Sequence, residues 1–397
     1  MPGTSVRVVG TLGAAQTLAW ASSYYLPAML ADPMARDLGL SAPTIYAAFS
    51  AAMAASALVG PWAGQAIDRY GGQIVLAGTS LVFALGLGLL GVAQGLWTMV
   101  AAWLVVGVAM GAGLYEAAFS CLVHLYGHRA RGAITGITLI AGFASTVGWP
   151  LSAWMGTQFG WREACFGWAI MHLLMGLPLN AWLPKVPVCS SFGGALAANE
   201  AQAGASAAAE SARPGLATAL LSFVFAATWF ISTAMATHLP RMLETAGATF
   251  AAAVAVGALI GPAQVAGRLL EFGFLRRVHP LLSARLAALA HPVGVMVLLF
   301  AGPAMAPVFA VLHGAGNGIL TIAKGTLPLV FFGTRRYGAR QGWLMMPARV
   351  AQALAPLLFG IALDAWGARA LWLSGGIGLA AFAALLLLRA RAGDLPP

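Results

Sequence analysis

The chain has 397 residues, of which 60% are hydrophobic and only 8% are charged. A soluble globular domain carries about 25% charged residues, so this composition excludes an ordinary soluble protein and indicates an integral membrane protein. Basic residues exceed acidic ones by 21 to 11, which gives a formal net charge of +10. Because they are scattered over separate loops and do not form one stripe, nucleic-acid binding is not expected.

Glycines, prolines and charged residues divide the apolar sequence into twelve predicted membrane spans. A spanning helix needs roughly 20 mostly apolar residues, and the alternating pattern of a β-barrel is absent. The first run is too long for a signal peptide. The predicted spans are 6–31, 42–67, 73–94, 97–123, 132–158, 163–183, 215–239, 247–272, 278–301, 304–330, 341–365 and 369–389.

The distribution of arginine and lysine predicts the orientation of these spans. With a cytoplasmic N-terminus, the loops on the outside would hold only Arg36, Arg162, Arg241 and Arg369, and the inside segments would hold many more basic residues. Cytoplasmic loops carry the excess of basic residues. We therefore expect a multi-pass protein of the cell membrane (the inner membrane in a bacterium) with both termini in the cytoplasm.

An Ala/Ser/Gly-rich stretch at 184–214 separates spans six and seven. Such a composition is typical of a flexible linker, so we predict an N-terminal six-helix bundle over 1–183 and a C-terminal one over 215–397. The halves repeat weakly: "VGPWAGQAIDR" in span two is echoed by "IGPAQVAGRLLE" in span eight. Internal repeats of this kind are typical of secondary transporters, which bind substrate between the repeats near the membrane midplane.

The loop between spans two and three contains "GQAIDRYGGQ". This stretch resembles the G-x-x-x-D-R-x-G signature of the major facilitator superfamily, with Gly72 and Gln73 where the family usually has basic residues. The resemblance covers the whole chain and implies twelve transmembrane helices in two pseudo-symmetric bundles. It also implies a role in gating the cytoplasmic side; the alternative is a tight turn whose charges only set topology. The matching residues are Gly64, Asp68, Arg69 and Gly71.

Four ionisable residues fall well inside predicted spans: Glu116, Arg268, Lys324 and Arg349. A charge at a helix centre costs about 2.5–3.5 kcal/mol on insertion scales, so each should face the bundle interior or a watery cavity. In the family layout, helices one, four, seven and ten line the central cavity. The resemblance therefore places Glu116 of span four and Lys324 of span ten at that cavity.

Glu116 stands in the apolar stretch "MGAGLYEAAFSCL". A carboxyl group in a low-dielectric cavity can change its proton occupancy as its surroundings change, which makes Glu116 the predicted proton-coupling residue. The alternative is a static ion pair with Lys324 or an arginine.

Two arginines are predicted substrate contacts. Arg268, in "QVAGRLLEFG", resembles the Gly-Arg of span eight in the monocarboxylate and oxalate transporter branch, where the arginine holds a substrate carboxylate. Arg349 lies in span eleven, where oxalate-type transporters also place a buried cation. A planar guanidinium can bind a carboxylate through two hydrogen bonds. The alternatives are pairing of Arg268 with Glu271, a link from Arg349 to Asp68, and snorkelling of Lys324.

Tyr24, Lys324 and Asn317 complete the predicted substrate contacts. Tyr24 and Tyr25 could instead belong to the aromatic belt at the membrane interface. The histidines at 238 and 313 are predicted to be structural.

Motifs of other function classes are missing from the sequence. They are the zinc motif H-E-x-x-H, the nucleophile motif G-x-S-x-G and the phosphate loop G-x-x-x-x-G-K-[ST]. The three cysteines have no metal-type spacing, so neither an enzyme, a cofactor nor a metal is expected. We therefore predict a gradient-driven, proton-coupled transporter working by alternating access as a monomer. The predicted substrate is a small organic anion such as a monocarboxylate, moved by symport. The alternative is an efflux pump for a drug, toxic oxyanion or other metabolite, in which Glu116 would matter more than the arginines.

Overall fold

A computed structural model describes residues 2–126, 130–184, 214–273, 278–332 and 337–388 of the chain. All regular secondary structure within these ranges is helical, as the composition predicts. A π-helical turn covers His172–Gly176, and short 3-10 turns cover Pro303–Met305 and Gly367–Ala370.

The described ranges contain seventeen α-helices. In chain order they are α1 Pro2–Ser22, α2 Pro27–Asp37, α3 Ala42–Tyr70, α4 Gly72–Gly91, α5 Leu96–Gly113, α6 Tyr115–Tyr126, α7 Ala130–Ala141, α8 Ala144–Gln158, α9 Trp161–Met171, α10 Leu177–Ala181, α11 Pro214–Thr245, α12 Phe250–Ala258, α13 Ile260–Gly273, α14 Pro280–Ala301, α15 Ala306–Phe332, α16 Tyr337–Trp366 and α17 Leu371–Leu387.

Ten stretches of the described helices are long and apolar enough to cross a membrane. They coincide with the predicted spans from the second to the twelfth, and the last of them, Leu344–Leu387, covers two predicted spans. The first predicted span is helical but is not among the ten. The chain is therefore a multi-pass membrane protein.

Several predicted spans are not single continuous α-helices. The first breaks between Ser22 and Pro27, because proline lacks the N–H that would continue a helix. The fourth breaks at Leu114, whose backbone is extended, with φ −85° and ψ −165°. The fifth and eighth also consist of two α-helices each, and the sixth contains the π-helical turn. Hydropathy measures apolar length only, so it could not reveal these breaks.

The contacts divide the chain into two compact units. The first unit contains Met1–Val188, Thr233–Pro262 and Ala353–Ala370, and the second contains Cys189–Ser232, Ala263–Gln352 and Leu371–Pro397. Almost all of the predicted linker lies outside the described residues. Its flexibility, and the bundle boundaries drawn from it, stay predictions.

Glycines allow close helix packing in both units. In the first, Gly107 of α5 lies so close to Ala52 of α3 that a Cβ atom would overlap the Ala52 carbonyl oxygen. In the second, Gly318 of α15 lies equally close to the carbonyl of Gln264 on α13. Backbones can approach this closely only where no side chain intervenes. The second contact sets the distance between the two helices that carry Arg268 and Lys324.

Candidate functional site

Three helices of the second unit bring a group of polar and aromatic side chains together. Trp229 lies on α11, Gln264 and Arg268 on α13, and Lys324 on α15. We call these four residues the Arg268 cluster. Only 8% of Arg268 and 7% of Lys324 is exposed, which is unusual for such long charged side chains.

The geometry of the Arg268 cluster holds two positive charges beside an aromatic ring. The Lys324 Nζ atom lies 4.2 Å from the centroid of the Trp229 ring, a cation–π contact. A terminal nitrogen of the Arg268 guanidinium donates to the Gln264 side-chain oxygen, one turn earlier on α13, at 3.5 Å. The charges of Arg268 and Lys324 are close enough to act on each other.

The other predicted contacts in the second unit lie elsewhere on its helices. Arg349 is a half-buried residue of α16, next to the fully buried Ala348. Asn317 is also half-buried and lies two turns before Lys324 on α15. It lines a small separate cavity that His291 and His313 also line. The roles of Arg349 and Asn317 in substrate binding stay predictions.

Tyr24 lies in the first unit, in the break between α1 and α2. It is buried, and its hydroxyl is hydrogen-bonded to the Thr233 hydroxyl of α11 at 2.8 Å. Its ring makes edge contacts with Trp20 at 4.9 Å and with Tyr25 at 5.3 Å, measured between ring centroids. Tyr24 therefore joins helices that are distant in sequence, and its contact with substrate stays a prediction.

Glu116 lies in the first turn of α6, directly after the break at Leu114. Its side chain is exposed, whereas the opposite face of α6, which includes Ala117 and Ala118, is buried. The N-terminus of a helix carries a partial positive charge that stabilises a carboxylate. The helix break thus explains how the chain accommodates an acidic residue inside an apolar stretch.

The predicted gating motif forms the turn between α3 and α4. Gly71 ends α3 with a φ of +85°, a conformation that favours glycine, and its N–H donates to the Ile67 carbonyl at 2.8 Å. Arg69 is exposed, with its guanidinium carbon 5.3 Å from the centroid of the Tyr70 ring. A Cβ atom at Gly64 would meet no other group. The side chain of Asp68 lies outside the described part of the chain, so the gating role stays a prediction.

Sequence reasoning missed a charged group in the first unit. Arg241 of α11 lies between Asp32 of α2 and Asp364 of α16. Its Nε atom is 3.5 Å from an Asp32 carboxylate oxygen, and a terminal guanidinium nitrogen is 2.7 Å from an Asp364 carboxylate oxygen. Nearby, the rings of Tyr46 and His238 are 4.1 Å apart between centroids. We call these five residues the Arg241 cluster.

Arg241 was predicted to lie in a loop, and that assignment is wrong. The predicted span seven ends at 239, before Pro240, but α11 continues through this proline to Thr245. A signal was present nevertheless: Arg241, Asp32 and Asp364 all lie near ends of spans that were predicted to point to the same side. Opposite charges at one level of a bundle favour ion pairs.

A second set of contacts in the first unit joins α8 to the α12 segment. The Trp149 ring packs on Gly257, where a Cβ atom would overlap the ring. The Thr146 hydroxyl donates to the Ala258 carbonyl at 2.9 Å. Together with the Arg241 cluster, these contacts join the first six predicted spans to the last six.

Comparison with known proteins finds that the chain is similar to membrane transporters. A curated relative from Corynebacterium glutamicum, a "Gentisate transporter", is 25% identical over 356 residues, which cover 84% of this chain and 76% of the relative. A nucleoside transporter structure superposes with a TM-score of 0.76 at 13% identity, covering 97% of this chain and 100% of that one. A D-xylose–proton symporter superposes with a TM-score of 0.72 at 14% identity, covering 98% of each chain.

These two structural likenesses show the fold, which is that of transporters with two six-helix bundles. The sequence model of the Major Facilitator Superfamily matches residues 12–346, most of the chain. The chain belongs to the Major Facilitator Superfamily of membrane transporters.

Proposed function

We propose that this transporter works by alternating access and moves a small organic anion, such as a monocarboxylate, together with a proton. The observation that carries the proposal is the Arg268 cluster, which holds two buried cations in one place. Two like charges in a low-dielectric interior raise each other's free energy. A bound carboxylate offsets this cost, because a guanidinium can donate two parallel hydrogen bonds to it.

The curated relative supports an anionic substrate. Gentisate is an aromatic carboxylate, and a protein named for its transport is similar to most of this chain. In the Arg268 cluster, Lys324 stands against the Trp229 ring. This combination of cations and an aromatic surface suits two kinds of substrate. One is a carboxylate that carries an aromatic ring, and the other is a simple monocarboxylate.

Glu116 is the proposed proton-coupling residue. Its side chain is exposed at the start of α6. Co-transport of one proton with a monocarboxylate moves no net charge across the membrane. A static ion pair remains the alternative role for Glu116.

Alternating access requires contacts that form on one side of the membrane as those on the other side separate. We propose that the Arg241 cluster and the Trp149–Gly257 contact close one side. The motif residues Asp68 and Arg69 would then act at the opposite, cytoplasmic side, towards which both termini would point.

Efflux of a drug or other metabolite is the second candidate function. It is favoured by aromatic side chains beside Glu116: the rings of Tyr115 and Phe119 stack with centroids 5.4 Å apart, and Trp20 contacts Tyr115 at 4.8 Å. An acidic residue among aromatic rings suits a cationic or aromatic compound.

The test is a thermal-shift screen of the purified protein against carboxylates, oxyanions and cationic drugs at mildly acidic and neutral pH. The carboxylates should include gentisate, benzoate and lactate, so that ring-bearing and simple anions are compared. A ligand at 100 times its dissociation constant stabilises the folded state by about 2.7 kcal/mol. We expect a carboxylate to stabilise the protein, more strongly at one of the two pH values, and Arg268→Ala to remove this shift.

Arg285→Ala is the matched control for Arg268→Ala. Arg285 lies on α14 and donates to the backbone carbonyls of Leu385 at 3.0 Å and Leu388 at 2.7 Å, so its replacement should lower stability and leave the ligand shift in place. Stabilisation by cationic or neutral compounds alone would contradict the anion proposal and favour efflux. Equal ligand shifts in wild type and Arg268→Ala would remove Arg268 from the site.

A further inference from the structure

Two buried histidines of the second unit face each other across adjacent helices. His291 lies on α14 and His313 on α15, and their Nδ1 atoms are 3.0 Å apart, which is a hydrogen-bond distance. The exposed fractions are 6% and 4%. The Phe309 ring stacks on His313 with centroids 5.9 Å apart and meets the edge of His291 at 5.6 Å. Phe309 therefore packs against both histidines.

A small cavity adjoins the pair. It has about 20 Å³ of room for water, enough for roughly one molecule. Its polar lining comes from both histidines, from Thr228 of α11 and from Asn317 of α15. The Nε2 atom of His291 is buried and makes no hydrogen bond within the described part of the chain.

We propose that His291 and His313 together form a binding site for a single proton. In the neutral pair, one ring must donate from Nδ1 and the other must accept at Nδ1. The donating ring then has its lone pair at Nε2. Because an orphaned buried N–H is rarer than an under-satisfied acceptor, the unpartnered Nε2 of His291 is the place for this lone pair, so His291 is the donor.

An added proton forms a new N–H bond at the His291 Nε2 atom and leaves the bond between the rings in place. The adjoining cavity has room for about one water, which would accept a hydrogen bond from this new N–H group. The positively charged ring is the better donor, because a charge-assisted hydrogen bond is stronger than a neutral one. A second proton would have to bind the His313 Nδ1 atom, which already accepts the hydrogen bond. Two charged N–H groups would then face each other at 3.0 Å, so the site holds one proton and excludes a second.

Proton binding by the pair depends on the two histidine rings themselves and not on charged neighbours in the described cavity lining. Beyond the histidines, the described cavity lining from α11, α14, α15 and α17 is aliphatic, glycine or neutral and polar, with no other titratable or charged group. Lys324 lies farther along α15, eleven residues after His313.

Since the two histidines lie on different helices, a movement of α15 against α14 would break the Nδ1–Nδ1 bond and change the proton affinity. The inference goes beyond the proposed function, because it holds for any substrate.

The test is solid-state nuclear magnetic resonance of the whole protein in liposomes, with isotope-labelled histidine, from mildly alkaline to acidic pH. A scalar coupling between two ring nitrogens reports an N–H···N hydrogen bond directly. We expect one coupled pair of histidines in wild type, which takes up one proton as the pH falls and keeps its coupling. His313→Gln should abolish the coupling.

His172→Gln is the matched control. His172 is also a buried histidine, but its Nε2 atom is hydrogen-bonded to the Ser22 hydroxyl at 2.8 Å and not to another histidine. The coupled pair should persist in this variant. Absence of the coupling in wild type, uptake of two protons by the pair, or no uptake over the pH range would each overturn the inference. The wild-type spectrum decides these three outcomes even if His313→Gln does not fold.

Discussion

The Arg241 and Arg268 clusters place positively charged side chains in different surroundings. In the Arg241 cluster, one guanidinium lies between two carboxylates, and the three side chains are 24–38% exposed. In the Arg268 cluster, two cations lie close together with less than 10% of either residue exposed. The first arrangement pairs a cation with two carboxylates. The second places two cationic side chains beside each other at greater depth.

This difference suggests different roles for the two clusters. A compensated ion pair holds helices together and loses stability when one partner is removed. A concentration of like charge costs the protein free energy and attracts an ion of opposite sign. We therefore expect substitutions in the Arg241 cluster to change stability, and those in the Arg268 cluster to change ligand binding.

The largest expected effect is on anion binding in the Arg268 cluster. Arg268→Ala and Lys324→Met should each weaken carboxylate binding by about 2–3 kcal/mol, because hydrogen bonds to charged groups contribute about 1.5–3 kcal/mol each. This is a loss of roughly 30- to 150-fold in affinity. If both cations contact one carboxylate, the loss of binding free energy in the double variant should differ from the sum of the two single-variant losses by about 0.5–3 kcal/mol.

Titration calorimetry with the strongest carboxylate of the screen measures these losses. The control cycle combines Arg268→Ala with Arg285→Ala. The two losses should add within about 0.5 kcal/mol, because Arg285 donates to backbone carbonyls at the end of α17 and not to the substrate. Additive losses for Arg268 and Lys324 would mean that the two cations do not share a ligand.

The next largest effect should come from the contact between Trp149 and Gly257. Gly257→Ala places a methyl group where the Trp149 ring lies, and that ring is fully buried. Overpacking of this kind costs about 1–3 kcal/mol. Reversible unfolding in detergent would measure the loss.

Gly78→Ala on α4 is the control for Gly257→Ala, because a Cβ atom there meets no other group. It should be neutral or slightly stabilising, since alanine is favoured over glycine in a helix by about 1 kcal/mol. Equal effects of the two variants would show that Trp149 moves aside at little cost.

A smaller loss of stability is expected for Arg241→Ala. The ion pairs of Arg241 are neither fully exposed nor fully buried. The loss of unfolding free energy should therefore lie between that for an exposed ion pair and that for a buried one, at about 1–2 kcal/mol. Asp364→Asn should cost less, because Asp32 still pairs with Arg241. The measurement is the unfolding midpoint at low and high salt, and the difference from wild type should shrink as salt increases. An unchanged midpoint would end the proposal that this cluster closes one side.

The sequence predicts the fold well because each membrane-spanning helix requires a long apolar segment, and such segments are visible in the sequence. The second to twelfth predicted spans coincide with the apolar helices of the structure. The breaks within spans escaped prediction, since they depend on backbone conformation at single residues such as Leu114. The position of Glu116 shows the consequence: predicted inside one continuous helix, it lies at the start of α6.

The candidate site is harder to predict than the spans. Arg268 and Lys324 are conspicuous as charges within apolar runs, but their proximity depends on the glycine contact between α13 and α15. Many glycines lie in the spans, and the sequence does not say which of them meet. Likewise, His291 and His313 are 22 residues apart on different helices, and nothing in their spacing indicates a hydrogen bond.

The smallest expected effect concerns the aromatic side of the Arg268 cluster. Trp229→Phe keeps a ring beside Lys324 but weakens the cation–π contact, because tryptophan is the better partner for a cation. We expect carboxylate affinity to fall by about twofold, which corresponds to roughly 0.4 kcal/mol. Trp154→Phe is the control, since Trp154 is half exposed and its ring contacts Phe159 at the surface. Calorimetry at one pH compares the two variants. If Trp229→Phe weakens gentisate and lactate equally, the ring positions Lys324; if it weakens gentisate alone, Trp229 contacts the aromatic ring of the substrate.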